Sequence, residues 1–260
     1  MDYKSVFQKN GVFVPFVVLG DPCYEESFRI VKTLIDAGAD ALELGFAFSD
    51  PMADGVAIQA SHLRALKAGA NMQTNFELLA QIHSYSPQTP LGLLLYANLI
   101  HRYGVKSFYA KCADCGVASV LVADLPLAES APFIASAKAH NIAPIFIAAP
   151  HTSPKDLEQI ANATKAYVYV LARAGVTGAG ESLGTDAKGV IAQLKCVKDV
   201  PCLLGFGISK PAHAKEAQDM GANGVICGSA VVQILEQDLN NPPQMHAKLM
   251  DFVQGFKASC

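Results

Sequence analysis

Short apolar runs alternate along this chain with amphipathic stretches. The runs are Phe13–Leu19, Ala41–Gly45, Leu91–Tyr96, Ser119–Ala123, Ala143–Ala148, Tyr167–Leu171, Cys202–Gly205 and Gly224–Cys227. Most are continuously apolar, the pattern of parallel strands covered on both faces. Between them the spacing turns helical: Phe28, Val31 and Ile35 share one face of the first stretch, and Met245, Leu249, Phe252, Val253 and Phe256 one face of the last. Ser209-Lys210-Pro211 reads as an N-cap followed by proline in the first turn. Eight such units with no dividing linker predict a (β/α)8 TIM barrel, one domain over residues 1–260. The competing architecture, a doubly wound open sheet, lacks its G-x-G-x-x-G turn after the first strand. A barrel places its site on the loops that follow the strands.

Composition narrows the function. With 260 residues, 51% of them hydrophobic, the chain can bury one large core. A net charge of -3 without basic runs argues against nucleic acid. Each apolar segment stops well short of the ~20 residues that span a membrane. The run Val12–Leu19 follows Lys9 as a leader's apolar region would, but Pro15, Gly20-Asp21-Pro22 and Cys23 make a poor cleavage site. Seven irregularly spaced cysteines suit reduced thiols in the cytoplasm. Cys112 and Cys115 form a helical pair for which packing is the expectation and zinc the alternative.

Two carboxylates carry the candidate chemistry. Glu43 interrupts an apolar strand, where a charge costs several kcal/mol, roughly, unless paired or protonated. Alternation puts Ala41, Glu43 and Gly45 on one face and Leu42 and Leu44 on the other, so Glu43 should point into the barrel. A purely structural glutamate satisfied by a tyrosine or backbone partner is the bland alternative. Asp54 sits in the following loop and reads either as a second acid/base group or as the N-cap of a run containing Val56, Ile58, Leu63 and Leu66. Farther on, Gly205-Phe206-Gly207-Ile208-Ser209 and Gly228-Ser229-Ala230 follow the last two strands, with two helical stretches after the eighth. That is the pattern of a backbone-built phosphate site. The Gly-rich segment from Arg173 to Gly180 reads as a lid, with Asp124 placed to tie it down or to cap a turn. His101 and His151, near strand ends, read as surface or supporting residues.

These segments, in this order, resemble the tryptophan synthase alpha subunit family. The resemblance covers nearly the whole chain: Pro15–Pro22, Glu43–Gly55, Tyr96-Ala97-Asn98, Ala123–Pro126, Gly175–Gly178, Gly205–Ile208 and Gly228–Ala230. It implies a lyase that cleaves indole-3-glycerol phosphate by retro-aldol chemistry to indole and glyceraldehyde 3-phosphate. Glu43 matches the family's proton-transferring glutamate and Asp54 the carboxylate that polarises the ring N–H. Phe16, Leu94 and Tyr96 would line the indole pocket, with Tyr169 near Glu43. Gly178, Gly207, Gly228 and Ser229 would hold the phosphate, Thr177 and Phe206 would also bind substrate, and Arg173 would belong to the lid. No metal or organic cofactor is implied in this chain. A beta subunit carrying pyridoxal phosphate would take up the indole in an assembly of two alpha and two beta subunits, docking around Ser49, Asp50 and Pro51.

The chain departs from the family pattern at Ala47, at Val56-Ala57, and at Ala172 and Ala174, where relatives carry proline or hydroxyl residues. These changes bear on loop stiffness and lid closure more than on the reaction. The alternatives are another phosphorylated-sugar barrel, such as a phosphoribosyl isomerase or an indole-glycerol-phosphate synthase, and a non-catalytic barrel that binds and activates a beta subunit.

Overall fold

The structure is a computed structural model that describes residues 3–9, 11–172 and 186–259. Eight parallel strands close in sequence order into one barrel: β1 (Val12–Leu19), β2 (Leu42–Phe46), β3 (Leu91–Leu95), β4 (Val117–Val122), β5 (Ala143–Ala148), β6 (Val168–Leu171), β7 (Cys202–Gly205) and β8 (Gly224–Cys227). Each overlaps the apolar run that predicts it. Tyr96 and Ala123 fall just beyond β3 and β4, where the chain turns away from the sheet.

The helical layer is α1 (Tyr24–Asp36), α2 (Val56–Lys67), α3 (Met72–Tyr85), α4 (Ala97–Tyr103), α5 (Val105–Asp114), α6 (Ala131–Ala139), α7 (Pro154–Ala163), α8 (Asp186–Val197), α9 (Ala212–Asp219), α10 (Ser229–Gln237) and α11 (Pro242–Ala258). Two helices follow β2, β3 and β8. Gly104, at φ +92°, breaks α4 from α5, and the Asn71 side chain, accepting from Gln73 and Thr74 N–H, starts α3. Ser209 does not cap α9 as expected. That helix begins at Ala212 after Pro211 without a side-chain cap, and the Ser209 N–H donates instead to His213 Nδ1 at 3.2 Å.

Strand alternation divides the apolar residues into two layers. Leu42, Leu44, Leu91 and Leu93 pack outward against the helices, while Val14, Ala41, Leu121, Ile145, Tyr167, Tyr169, Leu203 and Ile226 fill the barrel. Tyr3 and Phe7 close the lower end against Tyr167, with ring centroids 5.5 and 6.0 Å away, and Tyr3 Oη is 2.8 Å from Ser119 Oγ. The barrel floor is therefore packed, and access is from the C-terminal ends of the strands.

One helix inverts its expected face. The buried positions of α2 are Ile58, Ser61, His62 and Ala65, whereas Val56, Leu63 and Leu66 are 84%, 53% and 36% exposed. Apart from Ile58, its large apolar residues face out and its small and polar ones face in. Cys112 and Cys115 are buried beside α3, where Cys115 Sγ donates to the Phe76 carbonyl at 3.5 Å, a packing role. Among the described residues, no helix is long and apolar enough to cross a membrane.

Candidate active site

Parallel pairing sets Phe16 beside Glu43 and Glu43 beside Gly92, so the glutamate enters the barrel between a ring and a glycine. Its side chain is buried, at 1% exposure. Tyr167 Oη donates to Glu43 Oε1 over a long 3.5 Å, while Glu43 Oε2 is buried with no hydrogen-bond partner among the described residues. Burial raises the carboxyl's pKa from 4.5 to about 8; the Tyr167 hydroxyl opposes the rise and the negative charge of Asp54 adds to it. At neutral pH, Glu43 holds its proton. Tyr169, on β6 and two residues beyond Tyr167, which immediately precedes that strand, lies in the field of both carboxylates, which add to the larger effect of burial in raising its pKa.

Asp54 lies second from the end of the loop after β2, 6% exposed. The N-cap expectation fails here: Gly55 occupies that position and makes no side-chain cap. Instead the carboxylate turns inward, and its Oδ2 accepts from Tyr96 Oη at 2.7 Å and pairs with His62 Nε2 at 3.2 Å. Tyr96 in turn accepts from the Ala53 N–H at 3.1 Å and stacks on Phe48 with centroids 5.0 Å apart.

Glu43 and Asp54 line one cleft. Phe16, Ile58, Leu94, Tyr169, Phe206 and Ile226 form its apolar walls, and Gly207, Ser209, Gly228 and Ser229 close it on the β7–β8 side. Tyr96 is not in that lining; it reaches the cleft through Asp54. On the β7 side, Phe206 and Gly207 take φ of +65° and +88° in succession. Left-handed backbone at a non-glycine residue costs of order 1–3 kcal/mol. The opening of α10 at Ser229 adds the positive end of a helix. Cys227 Sγ donates to the Ile208 carbonyl at 3.1 Å, tying the two halves of the cradle together. Gly205 leaves room for catalytic-site packing: a Cβ there would stand 2.1 Å from Tyr169 Oη.

Arg173, Thr177, Gly178 and Ala174, with the expected lid, lie outside the described residues. Asp124 accepts from the Ala97 N–H at 2.8 Å and so caps the start of α4. Ala172 is fully buried and Ala47 nearly so, while Val56 projects outward. His101 packs edge-on against Phe133, and His151 is exposed, both apart from the cleft lining. Ser49, Asp50 and Pro51 sit in the loop between β2 and α2, with Ser49 Oγ donating to Asp50 Oδ2 at 2.5 Å. The sequence did not single out His62, Tyr167 or Cys227. For His62 a signal was present: with Ile58 and Ala65 it falls on one helical face.

The arrangement suits a flat apolar ring beside a protonated acid and an oriented carboxylate, with an anion held by backbone. The comparisons with known proteins agree. The family model described as tryptophan synthase alpha chain matches residues 4–260. A tryptophan synthase alpha chain from Helicobacter pylori (strain HPAG1) is 56% identical over 260 residues, 98% of this chain and 99% of that one. Another from Escherichia coli (strain SE11) is 51% identical, covering 99% and 98%. Among solved structures, a chain from a Pyrococcus furiosus structure described as the basis of mutual activation of the tryptophan synthase a2b2 complex superposes with a TM-score of 0.88 at 35% identity, covering 96% of this chain and 99% of that one. Matched end to end in sequence and fold, this chain belongs to the tryptophan synthase alpha chain family.

Proposed function

We propose that the cleft cleaves indole-3-glycerol phosphate to indole and glyceraldehyde 3-phosphate, and that residues 1–260 act as one catalytic barrel. The observation that carries this is a fully buried carboxyl, Glu43, whose pKa burial pushes up to about 8, facing the same cleft as Asp54 and a glycine-built cradle. Glu43 donates its proton to indole C3. The bond between C3 and the glycerol carbon then breaks, its electron pair returns to the ring, and the glycerol hydroxyl becomes the aldehyde as its proton passes back to Glu43. One proton is given and one recovered, so the enzyme ends unchanged. Asp54 accepts from the ring N–H, stabilising the positive charge that develops there when C3 is protonated. Phe16, Leu94, Tyr169 and Phe206 hold the ring, and Tyr96 fixes Asp54. Gly207, Gly228 and Ser229 hold the phosphate, with Gly178 added by the family resemblance, which also gives Thr177 as a substrate-binding residue.

The exposed face of α2 supports a protein partner. Met52 and Val56 are each 84% exposed and Leu63 is 53% exposed, next to Ser49, Asp50 and Pro51. A beta subunit docking there would receive the indole, in an assembly of two alpha and two beta subunits. Pyridoxal phosphate belongs to that partner: the described lining of this cleft holds no lysine for a Schiff base, so the residues present do not suit it. All six described cysteines are free thiols, which supports a reducing, cytoplasmic setting. The test is indole release from indole-3-glycerol phosphate by the purified chain, alone and with the beta subunit. Release that the partner accelerates is expected. A stimulated beta reaction without any indole release would overturn the lyase assignment in favour of a binding role.

A further inference from the structure

We propose that His62 is a positioning residue for this reaction: it sets which oxygen of Asp54 meets the substrate. The proposal deepens the function above and rests on it. His62 is carried by α2 on the buried face shared with Ile58, Ser61 and Ala65, and its side chain is only 3% exposed. An imidazole in such a place needs partners for both nitrogens. Nδ1 faces the backbone N–H of Phe48 at 3.2 Å. A backbone N–H can only donate, so Nδ1 accepts and the ring carries its proton on Nε2. That Nε2–H donates to Asp54 Oδ2 at 3.2 Å.

Tyr96 Oη donates to the same oxygen from its own side at 2.7 Å. Two donors converging on Oδ2 fix the plane of the carboxylate. Among the described residues neither engages Oδ1, which is left to accept from the ring N–H. His62 also joins the two ends of the loop between β2 and α2, since Phe48 lies second from its start and Asp54 second from its end. The same helix presents Val56 and Leu63 outward. A displacement of α2 by a docked protein would therefore reach Asp54 through this ring.

The experiment compares wild type, His62→Ala and His62→Gln in complex with the beta subunit. His62→Ala removes the donor; His62→Gln keeps an N–H at a similar reach. His62→Ala should lower kcat for indole release roughly 10- to 100-fold, the range for losing a hydrogen bond to a charged group, with KM changed less than about threefold. His62→Gln should recover most of that loss. In an Asp54→Ala background, which removes the accepting oxygen, His62→Ala should cost nothing further in kcat. The partner's joining of added indole to serine, unchanged, verifies assembly. Should the alanine variant not fold, His62→Leu, which fills the volume without a donor, takes its place. A kcat within about twofold of wild type, equal losses for alanine and glutamine, or the same loss with and without Asp54 would overturn the proposal. A wild-type complex that releases no indole would instead overturn the function on which it rests.

Discussion

Replacing Glu43 by glutamine gives a stability signal whose sign follows from burial, the largest cause of its raised pKa. The carboxyl has an ordinary pKa of 4.5 in the unfolded chain and about 8 in the barrel. The raised value means the native state holds a proton that the unfolded state has already lost. The associated stability is fully present below pH 4.5 and is lost as pH rises through 8. Each pH unit in that window costs the wild-type fold about 1.4 kcal/mol, so the deficit approaches roughly 5 kcal/mol. Glutamine has the same shape and no charge to bury. The stability of Glu43→Gln relative to wild type should therefore be smallest near pH 5, climb towards pH 8, and level off above it. Urea titrations of both proteins at intervals from pH 5 to 9 measure this difference, because titrating groups that do not couple to Glu43 act alike in the two chains and cancel. A difference independent of pH would show that Glu43 ionises freely in the folded barrel, and the account of a protonated acid at neutral pH would fall.

Three further perturbations probe the surroundings. Gly205→Ala places a Cβ 2.1 Å from Tyr169 Oη, so the ring must leave its place; a loss of roughly 1–3 kcal/mol in stability together with impaired cleavage should appear in thermal melts and indole assays. Gly207→Ala forces a side chain into φ +88° within the anion cradle, and should raise KM for the phosphorylated substrate about tenfold with less effect on kcat; an unchanged KM in steady-state assays would remove Gly207 from the phosphate site. Leu63→Glu, at a position 53% exposed, should leave the melting temperature of the isolated chain within a degree or two, roughly, yet weaken beta-subunit binding at least about tenfold by calorimetry; unaltered binding would place the partner elsewhere.

The strands were legible because parallel strands covered on both faces leave continuous apolar runs, and Glu43 was legible because it breaks one of them. The strand period also placed its side chain inside the barrel, where Ala41 lies in the inner packing and Leu42 and Leu44 in the outer. Asp54 was half legible. Sequence spacing offers an N-cap, but the choice between a local N–H and distant Tyr96 and His62 donors is made by tertiary packing. The face of α2 misled because apolar spacing does not say which side meets the barrel; here Val56 and Leu63 point out, as a surface awaiting a partner would. The left-handed turn at Phe206 was invisible, since a phenylalanine gives no local cue for positive φ. Tyr167 was hidden for another reason: two tyrosines on one face of the same apolar run are equivalent in sequence, and only their height in the barrel decides that Tyr167 meets Glu43 Oε1.

Single-turnover indole release by Glu43→Gln, assembled with the beta subunit and saturated with indole-3-glycerol phosphate, tests the central claim most directly. With the proton carrier gone and the cleft's shape kept, substrate should bind with near wild-type affinity while cleavage falls by a factor of about a thousand or more. A variant that keeps a tenth or more of the wild-type rate would show that the proton comes from somewhere other than the second strand of the barrel.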